Sequence, residues 1–352
     1  MRKRATDRDA DVSRETDSDA VREADREADT TVVPDNQDAP DRPSRLGARA
    51  WWGVLKRTAK EFSDDNLTDW SAALTYYAIL SIFPGIVVLV SAFSLLADRT
   101  EEAVIDNLKS IAPGSIAAPL NSFLNDLHNS QHTAGLLAFV GIAAALWSAS
   151  SYVSAFMRAS NAIYDVKEGR PFWKTLPIRL GVTVVVGTLI GLAAVSVVFT
   201  GRFAEEIGKV FGIGSTAVRV WDYAKWPVLL LVLMLVLAIL YWASPNARQG
   251  GFRWVTPGGA LAVFLWLLAS GGFALYVSNF ASYSKTYGTL GGIIAFLVWL
   301  WISNIAILLG AEFDAELERG RAIEGGHPPG EEPYIAMRDD RKLHQDQDPG
   351  LA

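Results

Sequence analysis

Ser150, Ser154, Arg158, Asn161 and Asp165 follow one another at spacings of 4, 4, 3 and 4. On a helix that spacing makes a single stripe. A stripe ending in Arg, Asn and Asp could line a wet cavity that accepts an anionic group. The competing reading is that the serines cement helix packing while Arg158 reaches out to lipid headgroups. A second seam, Tyr77, Ser81, Pro84 and Ser91, runs at spacings of 4, 3 and 7. Proline inside a helix kinks it, so Pro84 frees the carbonyl of Leu80, and Ser81 is placed to compensate. Such a kink borders a substrate path or is merely structural. Asn304 and Glu312 complete the candidate path, which comprises Tyr77, Ser81, Pro84, Ser150, Ser154, Arg158, Asn161, Asn304 and Glu312. Glu312 also reads as an interfacial carboxylate beside Arg319.

Other chemistry finds little support. The chain has no cysteine, which excludes a disulfide scaffold, a Cys-based zinc site and a thiol nucleophile. His128 and His132 stand four apart near Asp126, but a metal would want a third ligand. Asp64, Asp65 and Asp69 read first as helix-start caps and only second as a Mg²⁺ site. Phosphate-binding loops, GxSxG, HExxH and dinucleotide fingerprints are missing from the sequence. No catalytic residue, metal or cofactor is expected, and the chain reads as a non-enzyme. RNA cleavage needs clustered carboxylates or an acid–base pair on a basic surface. The sequence offers only the three aspartates and no basic–aromatic platform, so no nucleic-acid partner is expected.

The elements that must position these residues follow from where charge is missing. Six stretches lack Asp, Glu, Lys and Arg: Asp69 to Asp98, His132 to Arg158, Arg179 to Arg202, Lys225 to Arg248, Arg253 to Lys285, and Lys285 to Glu312. They hold 28, 25, 22, 22, 31 and 26 residues in that order. A helix rises ~1.5 Å per residue and the hydrocarbon core is ~30 Å thick, so about 20 apolar residues cross it. Barrel strands would alternate every second residue, and Leu229-Leu230-Leu231-Val232-Leu233 does not. The expected fold is an all-α integral membrane protein. Its six transmembrane helices lie near 72–97, 134–157, 177–200, 226–244, 255–277 and 289–311. Pro177, Pro227 and Pro257 would stand near span starts, where a missing N–H costs nothing, and Pro245 would end the fourth span.

Fourteen Lys and Arg residues fall near one side of these spans and seven near the other. That bias places both termini in the cytoplasm. The expected location is the cell's inner (plasma) membrane, as a multi-pass protein. Residues 1–44 and 316–352 read as charged, disordered cytoplasmic tails. Residues 45–69 carry an interfacial amphipathic helix, with Trp51, Trp52, Leu55 and Phe62 on one broad face and Arg49, Lys56 and Lys60 on another. The loop 98–133 has room for short helices near 103–111 and 119–128. Gly288, Gly292, Ala295, Trp299, Ser303, Ala306 and Gly310 in the sixth span, and Gly187 with Gly191 in the third, read as close-packing seams.

Some of these residues form recognisable motifs. Residues 72–84 (AALTYYAILSIFP), Ser148-Ala149-Ser150 with Asn161-Ala162-Ile163-Tyr164, and Tyr241 to Asn246 form a first set. Thr256-Pro257-Gly258-Gly259-Ala260, Tyr287-Gly288-Thr289-Leu290-Gly291, Trp299-Leu300-Trp301 and Leu309-Gly310-Ala311-Glu312 form a second. Together, over roughly residues 48–315, they resemble the YihY/virulence factor BrkB family. The resemblance marks Pro245, Asn246, Pro257, Gly258, Tyr287, Gly288, Gly291 and Gly310 as structural motif positions. It implies a six-span inner-membrane protein. Some family members are linked to serum resistance or to lipid and envelope export, and some carried the label ribonuclease BN, which the family as a whole does not support.

Three functions are then open. The first is a transporter or lipid/envelope-component exporter whose partners are membrane lipids and an anionic lipid or solute, with Arg158 meeting the anion and Asn161, Tyr77 and Asn304 orienting it. The second is a structural or regulatory membrane scaffold for envelope machinery, and the third is RNA cleavage.

Overall fold

Long apolar segments cannot leave amides unpaired in hydrocarbon, and a helix satisfies them within one segment. The computed structural model describes residues 40, 43–96, 134–198, 215–279 and 284–343. Seven helices carry nearly all of these: α1 (Ala48–Asp64), α2 (Leu67–Leu96), α3 (Ala134–Ile163), α4 (Phe172–Val198), α5 (Ser215–Ala243), α6 (Phe252–Asn279) and α7 (Ser284–Glu324). Among the described residues there is no strand, only an isolated bridge between Ala247 and Met337. Residues 1–39, the loop 98–133 with its two short helices, and His128 and His132 lie outside the described residues, as do the side chains of Ser91 and Tyr287.

Four helices are long and apolar enough to cross a membrane: Phe172–Val197, Arg219–Ala243, Pro257–Ser278 and Leu290–Glu324. At most 33% of any of these apolar windows is buried within the protein. Leu192, Leu231, Leu268 and Leu275 are all exposed. A water-soluble bundle would turn such side chains inward, whereas acyl chains solvate them. α2 and α3, at 30 residues each, pair with one another, as do α6 with α7.

Helix boundaries depart from the sequence expectation in one consistent way. Pro177, Pro227 and Pro257 lie inside α4, α5 and α6 rather than at their starts. Each falls beyond the first turn, where a missing N–H does remove a helical bond. The helices begin earlier because segments of mixed character such as Ser215–Lys225 propagate a helix ahead of the uncharged run.

The core gathers at the end of the bundle that carries α1 and the C-terminal segment, here called the α1 end. Leu67, Leu74, Phe156, Tyr164, Tyr241, Leu308, Tyr334 and Ile335 pack into one buried cluster there. α1 docks on the last turns of α7 through Val54, Phe313 and Leu317, with the Trp51 ring 6.0 Å from that of Phe313 and tilted 36° to it. Its expected broad apolar face is therefore divided. Trp51 and Phe62 pack inward, while Trp52 and Leu55 stay exposed.

Two further expectations are corrected. Residues 316–343 are not a loose tail: α7 continues to Glu324, and Tyr334 and Ile335 are buried. Its many charges made this stretch look solvated, but Glu316 and Glu318 are buried among packed neighbours. The small-residue seams also hold only in part. A Cβ on Gly258 would overlap the Gly310 carbonyl and the Asp314 carboxylate, and one on Gly310 would lie 2.7 Å from Ala262 Cβ. Gly292 and Gly187 face open space, so close approach is confined to the α6–α7 crossing.

Candidate functional site

The polar stripe of α3 divides at Arg158. Ser150, Ser154 and Arg158 stay on one face, where Arg158 Nη1 donates to Ser154 Oγ at 3.1 Å and its guanidinium lies 5.9 Å from the Tyr77 ring of α2. A residue not foreseen joins them from α4. Arg179 donates from Nε and Nη2 to Ser150 Oγ, at 2.9 and 2.5 Å, and lies 5.0 Å from the Trp147 ring. The two guanidiniums are thus held by serines one helical turn apart on α3. Arg179 was counted only as a flanking basic residue. Its position eight residues into α4, two turns inside the helix, was the overlooked signal.

Asn161 and Asp165 do not belong to this group. Asn161 is buried, its Oδ1 accepting the Asn246 N–H at 2.7 Å and its Nδ2 donating to Glu168 Oε2 at 3.0 Å. It braces a structural corner. Glu168 also takes a two-pronged hydrogen bond from buried Arg170, at 2.7 and 2.6 Å. Burial works to raise the Glu168 carboxyl, but Arg170 outweighs it and the net shift is downward. Asp165 follows α3 with φ of +51°, and burial raises its carboxyl against the opposing pull of Arg319.

At Pro84 the compensating donor comes from across the helix pair. Ser148 Oγ of α3 donates to the freed Leu80 carbonyl at 2.8 Å. Ser81 instead donates back to the Tyr77 carbonyl at 2.7 Å and reaches the Ser148 carbonyl at 3.2 Å. A hydroxyl carries a single proton, and that of Ser81 is already engaged by the Tyr77 and Ser148 carbonyls.

Deeper in the bundle Asn304 forms a separate polar chain. Tyr152 donates to its Oδ1 at 3.0 Å, and its Nδ2 donates to Thr75 Oγ1 at 3.0 Å, linking α2, α3 and α7. Nothing here brings Asn304 to Arg158.

Glu312 opens a third group at the α1 end. Glu312, Asp314, Glu316 and Glu318 are all buried. A spacing of two places successive side chains on opposite helix faces, so this end of α7 is enclosed all round. Glu312 meets Asp65 of the α1–α2 turn, and Glu316 is paired with Arg57 of α1. On the other face, Asp314 accepts the Gly258 N–H at 2.7 Å and Glu318 the Gly250 N–H at 2.6 Å. Asp65 is therefore no simple cap: burial raises its carboxyl to about 6, partly opposed by a hydrogen bond with Glu312. Asp64 pairs with Lys60 at 2.9 Å. Asp314, Glu316 and Glu318 were missed because an alternating acidic run reads as solvated.

The structural motif positions have physical reasons. Asn246 is fully buried, donates to the Lys167 and Asp339 carbonyls at 3.1 and 2.7 Å, and accepts the Asp339 N–H at 3.1 Å. Pro245 is buried beside it and Pro257 half-buried next to Gly258, while Gly291 lies half-buried on α7. Comparison with known proteins adds the decisive observation, since the profile of the family described as virulence factor BrkB matches residues 58–334. The chain belongs to the BrkB family.

The match runs past the expected limit of 315 and takes in the acidic end of α7. A BrkB-family relative in Bacillus subtilis, named as a ribonuclease-like protein YfkH, is 34% identical over 264 residues, covering 75% of this chain and 93% of that protein. A UPF0761 membrane protein of Aeromonas salmonicida is 32% identical, covering 72% of this chain and 85% of its own length. Another, from Alteromonas mediterranea, is 28% identical over 78% of this chain and 90% of its own. No solved structure matches this BrkB-family chain.

Proposed function

We propose that this protein is a six-span inner-membrane transporter or exporter with both termini in the cytoplasm, moving an anionic lipid or solute past Arg158 and Arg179. The observation that carries the reading is this arginine pair. It sits on two apolar helices with hydroxyl and aromatic neighbours and, among the described residues, no carboxylate partner. An arginine on an apolar helix without a carboxylate partner is a candidate contact for an anionic substrate. In this reading α2 and α3 would be the two further spans, and their length of about 45 Å, at 1.5 Å per residue, is sufficient for that. The excess of basic residues near the α1 end supports a cytoplasmic location for that end.

Orientation has a direct test, because the chain contains no cysteine. In intact cells a Cys placed by R219C should react with an impermeant maleimide, whereas K56C and E331C should react only after lysis. Outside labelling of K56C would reverse the topology. The transport reading is tested by flux of a fluorescent anionic phospholipid across proteoliposome leaflets. Flux no faster than in protein-free vesicles would remove it for lipid substrates.

The name of the Bacillus relative motivates a second reading, RNA cleavage. The aspartates it would use, Asp64 and Asp65, are engaged with Lys60 and Glu312. Loss of RNA cleavage by the purified protein on D65N would favour that reading instead.

A further inference from the structure

Most arginines described at the α1 end are satisfied within the protein, Arg338 by the Ala247 and Trp242 carbonyls. Arg57, Arg170, Arg319, Arg321 and Arg341 each have a carboxylate partner. Arg158 and Arg179 have none among the described residues, and their only acceptors are Ser154 Oγ, Ser150 Oγ and the Trp147 carbonyl. Each guanidinium carries five N–H donors. Arg158 engages one nitrogen and Arg179 two, so Nε and Nη2 of Arg158 and Nη1 of Arg179 have no acceptor among the described residues.

We propose that Arg158 and Arg179 form a two-pronged site for a phosphate group, an inference that rests on the transporter reading for its role and deepens it by naming the substrate class. Guanidinium forks match phosphate oxygens in pairs. A carboxylate is saturated by one fork, whereas the tetrahedral oxygens of phosphate accept two forks from different helices. Ser150 and Ser154 hold the two side chains from the α3 side, which lowers the cost of placing them. The Trp147 ring, 59% exposed, lies against Arg179 and offers apolar surface to whatever carries the phosphate. The two guanidiniums, held by serines one turn apart on α3, would be bridged by an anion lying between them. A phospholipid headgroup and a soluble phosphate ester share this chemistry.

The test uses the full chain in a phosphate-free maltoside detergent, with binding read by native mass spectrometry. The probes are dioctanoyl phosphatidylglycerol, dioctanoylglycerol and glycerol 3-phosphate. Phosphatidylglycerol should bind at least about ten-fold more tightly than dioctanoylglycerol, and R158Q or R179Q should each remove about ten-fold of that. R158K and R179K, which keep the charge, should lose less, which separates phosphate binding from misfolding. Competition by glycerol 3-phosphate at similar concentration supports a soluble phosphate ester, and its failure to compete supports a lipid headgroup. Unchanged phosphatidylglycerol binding in the R158Q/R179Q double variant, or equal binding of dioctanoylglycerol, would overturn the site. Flux measured on the same preparations keeps the two claims apart. Phosphate binding without wild-type flux sinks the transport reading and leaves the site, while flux that survives in the double variant sinks the site as the substrate's path.

Discussion

Asn246 uses an amide where no other side chain fits. Its Nδ2 satisfies two carbonyls, from Lys167 and Asp339, while its Oδ1 accepts the Asp339 N–H. N246A leaves these buried groups unpaired, and with about 1 kcal/mol for each, the loss should be about 3 kcal/mol. N246D should be no milder although it is nearly isosteric, because both carbonyls would then face a carboxylate. A melting temperature for N246D close to wild type would show that water replaces the amide. Asp65 supports a second prediction at this scale. Its carboxyl is raised from 3.8 to about 6 by burial, so between those values the folded chain holds a proton that the unfolded chain has released. Stability from this group is thus present at low pH and falls as pH rises through 6. D65N should flatten that dependence and stabilise the protein at pH 7 by about 1 kcal/mol, after discounting for partial solvent screening. Melting curves at pH 4.5 and 7 in detergent check the sign, and a D65N curve with the wild-type slope would contradict it.

Between elements, the α2–α3 pair shows what a sequence can and cannot disclose. Pro84 in a helical run announces a freed Leu80 carbonyl, and a serine three residues before it suggests a local repair. The actual donor, Ser148, lies 68 residues away on α3, and no periodicity within α2 points to it. S148A should therefore cost about 1 kcal/mol in the natural chain. In a P84A background, where the residue 84 N–H can bond to Leu80, the same change should cost almost nothing. A double-mutant cycle with no coupling would show that Ser148 and Pro84 act independently. The same contrast runs through the fold. Apolar helices were legible because hydrocarbon imposes a length and forbids charge. Their ends were not, since the charged residues Arg219, Asp222 and Lys225 lie inside α5 ahead of its uncharged run. The α3 part of the candidate site was legible because Ser150, Ser154 and Arg158 share one helix. The α4 part was not, because Arg179 carries no mark in the sequence that sets it apart from Lys174.

For the molecule as a whole, the C-terminal segment acts as a strap across the α1 end. Arg248 N–H donates to the Ala336 carbonyl and Arg338 N–H to the Asn246 carbonyl, both at 2.8 Å, so residues 336–338 lie alongside the α5–α6 corner. Arg338 also donates to the Trp242 carbonyl at 2.6 Å and lies 5.2 Å from the Trp242 ring. Farther along, Lys342 N–H donates to the Gly169 carbonyl at 2.9 Å, and Lys174 meets Asp339 at 2.6 Å. The strap therefore joins the α3–α4 loop, which precedes Arg179, to the corner between α5 and α6. Gly169 is where a single methyl tests it. A Cβ there would overlap the Asp339 carbonyl and lie 2.7 Å from Asp340 Cα, and backbone cannot give way as a flexible side chain would. G169A should displace residues 338–342 and lower the melting temperature by several degrees, about the effect of losing two or three hydrogen bonds. Deleting residues 334–352 should do the same, and G169A should then add nothing, because the clash partner is gone. If G169A remained destabilising in the truncated chain, the damage would lie in the α3–α4 loop itself, and the strap would not be what holds that loop in place.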